Sequence, residues 1–129
     1  MHNRRLFFAQ AIVILGIGAI HILAIKWYLY WQFIWLDLPV HFLGGLWISL
    51  LSVYILQRFS REVRLLEVLV WVLLVSVAWE LFELWGGIPM EDNFALDTSI
   101  DLVMDTLGGL AGFSWARRYA TAVQTGHEE

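Results

Sequence analysis

The sequence predicts an all-α fold: an integral membrane four-helix bundle with both termini in the cytoplasm. Three observations carry that expectation. Of the 129 residues, 60% are hydrophobic and only 16% are charged, whereas soluble domains sit nearer half apolar and a quarter charged. Long apolar runs recur four times along the chain, and about 20 such residues span a bilayer. The arginines also fall on one side of the topology that four crossings imply.

The first span runs from Leu6 to Tyr30, broken only by Gln10, His21 and Lys26. It follows Arg4 and Arg5 but is too long for a signal-peptide core, and no small-residue cleavage site follows it. Trp27, Tyr28, Tyr30 and Trp31 come next, an interface belt, so the segment reads as a retained helix. The second span starts at Asp37-Leu38-Pro39, where Pro loses no hydrogen bond in a first turn and Asp can cap, and it runs from Leu38 to Leu56. A basic loop, Gln57 to Arg64, leads to the third, Leu65 to Trp85, which Gly86, Gly87 and Pro89 stop. After a polar loop from Met90 to Leu96, the fourth span runs from Asp97 to Ala116 and ends at Arg117 and Arg118. Residues 1–120 thus form one transmembrane domain, and Thr121 to Glu129 a frayed tail. Four crossings leave no room for a separate soluble catalytic domain.

Arg4, Arg5, Arg58, Arg61, Arg64, Arg117 and Arg118 lie on one side, and only Lys26 lies opposite. The positive-inside rule then puts both termini in the cytoplasm, in the cytoplasmic (inner) membrane.

The acids fall on the other side. Asp37 and His41 open the second helix, Glu80 and Glu83 close the third, and Asp97, Asp101 and Asp105 open the fourth; His21 sits in the outer half of the first. At about 100° per residue, the three Asp of the fourth helix share a stripe with Gly108 and Gly112. Asp37 and His41 share one with Gly44, Gly45 and Ser52, and Glu80 and Glu83 one with Gly87. Small residues let helices approach closely in lipid, so these faces, and the acids on them, should point inward. A carboxylate facing hydrocarbon costs about 2.5–3.5 kcal/mol on insertion scales. With only Lys26 nearby, either several acids stay protonated or a cation fills the site.

Carboxylates with one imidazole, in a chain without cysteine, suit Mg²⁺, Mn²⁺, Ca²⁺, Zn²⁺ or Fe²⁺. The expected metal set is His41, Glu80, Asp101 and Asp105, with Asp37, Asp97 and His21 as possible additions and Glu83 as a catalytic base. Glu-x-x-Glu in the third helix argues against a di-iron bundle, which carries Glu-x-x-His.

The run Asp37-x-x-x-His41-Phe42-x-Gly44, then Glu80-x-x-Glu83, then Asp101-x-x-x-Asp105-x-x-Gly108-x-x-x-Gly112 resembles the VanZ-like family and its YjdF-like relatives. The resemblance covers three of the four helices and implies a small polytopic membrane protein. VanZ-like chains commonly carry Asn in place of Asp105 and Gln in place of Glu83, so this chain is more acidic and nearer the YjdF-like set. The VanZ-like link with glycopeptide resistance is not carried over, because fold likeness does not carry function.

Structural roles compete at several positions. Asp37 and Asp97 suit helix capping, His21 packing, and Glu67 a surface pair with Arg64. Glu91 and Asp92 suit solvated loop charges, His2 and His127 carry no signal, and Gly44, Gly45, Gly108 and Gly112 suit helix packing. Three functions stay open: a metal-dependent enzyme acting on a lipid or lipid-linked substrate, a cation- or proton-binding transport module in a homo-oligomer, and a non-catalytic accessory protein. The bilayer is the expected surrounding partner and nucleic acid is not.

Overall fold

The computed structural model describes residues 2–59, 61–87 and 93–125. Among them every regular element is helical: α1 His2–Lys26, α2 Leu29–Gln32, α3 Asp37–Arg58, α4 Leu65–Gly86 and α5 Phe94–Thr125, with a 3-10 turn at Ile34–Leu36 between α2 and α3. Three stretches are long and apolar enough to cross a membrane, Arg4–Lys26, Ile34–Arg58 and Leu65–Gly86. α5 has the length, but its acidic first half and its arginines lower its hydropathy.

The chain's own punctuation sets the boundaries. α1 stops at Lys26, earlier than the apolar run suggests, because Tyr28 takes a left-handed conformation with φ 55°, uncommon for a residue with a Cβ. The connection expected to be irregular from Trp31 to Leu36 is instead α2 and the 3-10 turn. α4 starts after an extended Arg64 and ends at Gly87, whose φ is 63° and whose N–H bonds the Glu83 carbonyl. Glycine fits this left-handed helix cap at no steric cost. α5 begins three residues before Asp97, and Arg117 and Arg118 do not end it. Pro89, Glu91, Asp92 and His127 lie outside the described residues.

α3 is the central helix. It packs most extensively on α5 and also on α1 and α4, and α4 packs on α5, whereas α1 and α4 touch at most marginally. Glycines permit the α3–α5 contact. A Cβ on Gly45 would fall on the backbone of Asp105, and one on Gly108 on the carbonyl of Phe42; at Gly112 it would stand 2.7 Å from the Leu46 carbonyl. Gly109 faces Val72 of α4.

Inside, the two ends differ. Leu6, Leu50, Val53, Leu56, Val68, Phe113 and Ala116 form an apolar core at the end that carries the chain's arginines. Farther along, polar side chains replace it. Gln10 is buried and accepts a 2.9 Å hydrogen bond from the Trp47 indole, tying α1 to α3. Large apolar side chains such as Leu15, Leu66 and Leu74 cover the outside, a surface suited to lipid rather than water. Exposed ion pairs join Arg64 to Glu62 at 2.9 Å and Arg61 to Glu67 at 3.7 Å, so Glu67 pairs with Arg61 rather than with Arg64.

Gly108→Ala should lower stability by about 1–3 kcal/mol, the usual cost of overpacking. Gly16→Ala, whose Cβ would meet nothing within 4 Å, should be neutral or slightly stabilising, and thermal unfolding of both in detergent compares them directly.

Candidate metal centre

Helical phase brings the acidic faces of three helices together. On α4 the buried positions are Val68, Val72, Ser76, Glu80 and Glu83, one stripe at steps of four and three residues. On α5 Asp101 and Asp105 are buried in line with Gly108 and Gly112, and on α3 His41 is buried in line with Gly45. His41, Glu80, Glu83, Asp101 and Asp105 are each less than one-tenth exposed.

His41 is the hub. Its Nδ1 lies 3.1 Å from Asp105 Oδ2. Its Nε2 stands 3.7 Å from both Asp37 Oδ2 and Glu80 Oε1. Glu80 Oε2 accepts a 2.8 Å hydrogen bond from the Thr98 hydroxyl. Where His41 is neutral and donates its Nδ1 proton to Asp105, Nε2 keeps its lone pair. That lone pair then faces carboxylates, an arrangement that needs a cation or a proton between them.

Three buried atoms here lack any hydrogen-bond partner: His41 Nε2, Glu80 Oε1 and Asp101 Oδ1. Native structures rarely leave buried polar atoms unpaired. The same three residues can bring one ligand atom each within 4.8 Å of one another, and so can Asp37, His41 and Glu83. Ligands of one ion at about 2.0–2.2 Å stand about 3–4 Å apart, and the His41–Glu80 and His41–Asp37 separations lie in that range.

The expected residues divide by position. His41, Glu80 and Asp101 converge, with Asp37 and Glu83 on the same imidazole. Asp105 sits at the other ring edge, outside both groups, where it orients His41. Asp97 is half-buried and outside both groups. His21 is tied elsewhere: its Nδ1 lies 2.8 Å from the Tyr30 hydroxyl and its ring meets the edge of Trp79. The capping roles also move. Leu36 occupies the cap position before α3 with no side-chain cap bond, so Asp37 is the first helical residue and does not cap. Asn93 caps α5, its side-chain oxygen accepting the Leu96 N–H at 3.2 Å.

The sequence assigns no site role to Thr98, and to Tyr30 only a place in the interface belt. Thr98 lies three residues before Asp101 and seven before Asp105, so helical phase carries its signal. Tyr30 has no periodic signal, being placed by the turn after α1. Burial raises its pKa above the usual 10.0, and the negative charges of Asp37 and Glu83 add to the rise.

An apolar cleft of about 120 Å³ adjoins this cluster. Ile14, Ile17 and His21 of α1 form one wall, Val75, Ser76 and Trp79 of α4 the other, and α3 the floor, where His41 and Asp105 are reached.

Fold and site define a small, all-helical membrane protein with a histidine–carboxylate cluster buried among its helices. Residues 3–122 match the family described as predicted membrane protein DUF2238, and the chain belongs to that family. No curated protein and no solved structure matches it.

Tyr30 should hold its proton past the range in which an exposed tyrosine ionises. The fold binds that proton more tightly than the unfolded chain does, so stability should fall as pH climbs beyond about 10. Phenolate absorbance should be the same in wild type and Tyr30→Phe up to about pH 11; an extra phenolate in wild type near pH 10 would mean that Tyr30 is solvated.

Proposed function

We propose that this protein holds a divalent cation in the membrane through His41, Glu80 and Asp101, and uses it for metal-assisted chemistry on a lipid or lipid-linked substrate. The observation that carries this reading is that His41, Glu80 and Asp101, from α3, α4 and α5, each offer a ligand atom within 4.8 Å of the others, and each carries a buried polar atom without a hydrogen-bond partner. A divalent ion satisfies all three at once and offsets the carboxylate charge. One imidazole and two carboxylates leave coordination positions for water or a phosphate oxygen, as catalytic centres require.

Asp105 is the positioning residue. It fixes the His41 tautomer, as carboxylates behind metal-bound histidines do. Asp37, 3.7 Å from Nε2, and Glu83, within reach of the same imidazole, serve as further ligands, or one of them, Glu83 first, acts as a general base. When bound, the ion would activate water or polarise a phosphoryl oxygen. Mg²⁺, Mn²⁺, Zn²⁺ and Ca²⁺ all suit this donor set. The likeness to VanZ-like chains rests on these same residues and adds no activity.

In this reading α5 is a fourth span, and the arginine-bearing end faces the cytoplasm of an inner membrane. The centre then lies near the outer face. A transport path through one chain is disfavoured by the packing. Beyond Asp105 the inner face of α5 continues with Gly108, Gly109, Gly112, Phe113 and Ala116, where the buried unpartnered side-chain oxygens, Ser49 Oγ and Gln57 Oε1, are uncharged.

Elemental analysis of detergent-purified protein tests the reading. Wild type should retain a stoichiometric divalent ion, and Glu80→Ala and Asp101→Ala should lose it while keeping wild-type helicity. Asp105→Asn should weaken binding by about 10–100-fold without abolishing it. Binding should fall as pH is lowered, because protons compete for the same ligand atoms. If folded wild type binds none of these ions above the level of Asp101→Ala, the centre is not a metal site.

A further inference from the structure

The gap between α1 and α4 is the least explained feature of the packing. Both helices rest on α3, yet their backbones approach each other at most marginally; the His21 ring on Trp79 bridges them at one end, and the remaining groove opens away from α3 toward the surroundings of the molecule. Both stretches flanking it are apolar enough to cross a bilayer. With these stretches across a bilayer, the groove would face hydrocarbon.

Its lining is chemically one-sided. Ile14, Ile17, Val75 and Trp79 stand along the walls, with Val40 and Ile48 on the floor. From Ile14 to His21 the α1 wall covers about 10 Å at 1.5 Å per residue. Water gains nothing in so apolar a slot. The side open to the bilayer is continuous with the lipid-facing surface, where Leu15 on α1 and Leu74 on α4 are exposed. At the inner limit of the cleft stand His41, the ligand that the cleft shares with the proposed cation centre, and Asp105, which orients its ring.

We propose that the α1–α4 cleft seats one acyl chain of a phospholipid from the surrounding bilayer, entering sideways, so that its phosphate comes to the His41 centre. Bilayer continuity supplies the chain, and attraction between an anionic phosphate and a bound divalent ion supplies the register. The head-group part of this proposal rests on the metal reading, and the seating of the chain does not. Lateral access also explains the open arrangement of α1 and α4, since a substrate confined to the membrane needs an entry at that depth. Gly44 lines the floor beside them, where a Cβ would stand 3.6 Å from Asp105 Oδ1.

Photolabelling tests this. The full chain is reconstituted in phosphatidylcholine nanodiscs containing a trace of phosphatidylcholine with a diazirine on its acyl chain. After irradiation, labelled residues are mapped by mass spectrometry. Label is expected on the floor, at Val40, Trp47 or Ile48, as well as on the outward residues Leu15 and Leu74. Ile17→Trp, and independently Val75→Trp from the opposite wall, should reduce floor labelling at least fivefold and leave Leu15 and Leu74 unchanged. Two plugs from different helices guard against a single misfolded variant. Floor residues that stay unlabelled in wild type, or that label equally in both plugged variants, overturn the proposal. Asp101→Ala separates the two readings: floor labelling that survives loss of the cation upholds the cleft whatever the fate of the metal centre.

Discussion

The near-contact of the α3 and α5 backbones governs much else in the molecule. At Gly45 and Gly108 there is no space for even a methyl group, and in lipid such closeness comes from small residues and packing rather than from expulsion of water. His41 lies four residues before Gly45, and Asp105 three before Gly108, so each polar side chain shares the face of the glycine that admits the partner helix. The approach that brings the backbones together also carries the Asp105 carboxylate to the imidazole. A larger residue at either glycine would separate the helices and part that hydrogen bond. Packing and site are one arrangement read at two depths.

Much of this was legible in the sequence because the bilayer removes freedom. Span length fixes depth and helix pitch fixes direction, so Glu80, Glu83, Asp101 and Asp105 could be assigned to an inward face from spacing alone. The glycine stripes on α3 and α5 pointed the same way. Arg64 and Gly87 stand close to where α4 begins and ends, since charge and glycine punctuate apolar runs strongly.

What was not legible depends on contacts between helices. Spacing places Asp105 on the correct face, but it cannot say that the carboxylate meets Nδ1 rather than joining the other acids at Nε2. Nor does it show that Thr98 takes one oxygen of Glu80 and leaves the second unpaired. The start of α5 differs from the expectation because Asp97 looks like a natural cap. Asn93 took that role for α5, so Asp97 falls inside the first turn, where its charge still suits the helix dipole. Gln10 and His21, interruptions in an apolar run, each proved to bond an aromatic side chain, Trp47 and Tyr30, which no single-helix pattern encodes.

α4 has its buried positions on a single narrow stripe, with valines at one end and carboxylates at the other. A helix held in this way behaves like a key in a lock. Turning it by one residue, about 100°, would swing Val68 and Val72 out of the apolar core and deliver Glu80 and Glu83 into hydrocarbon together. Whatever neutralises those two acids thereby sets the azimuth of the whole rod, down to its far tip.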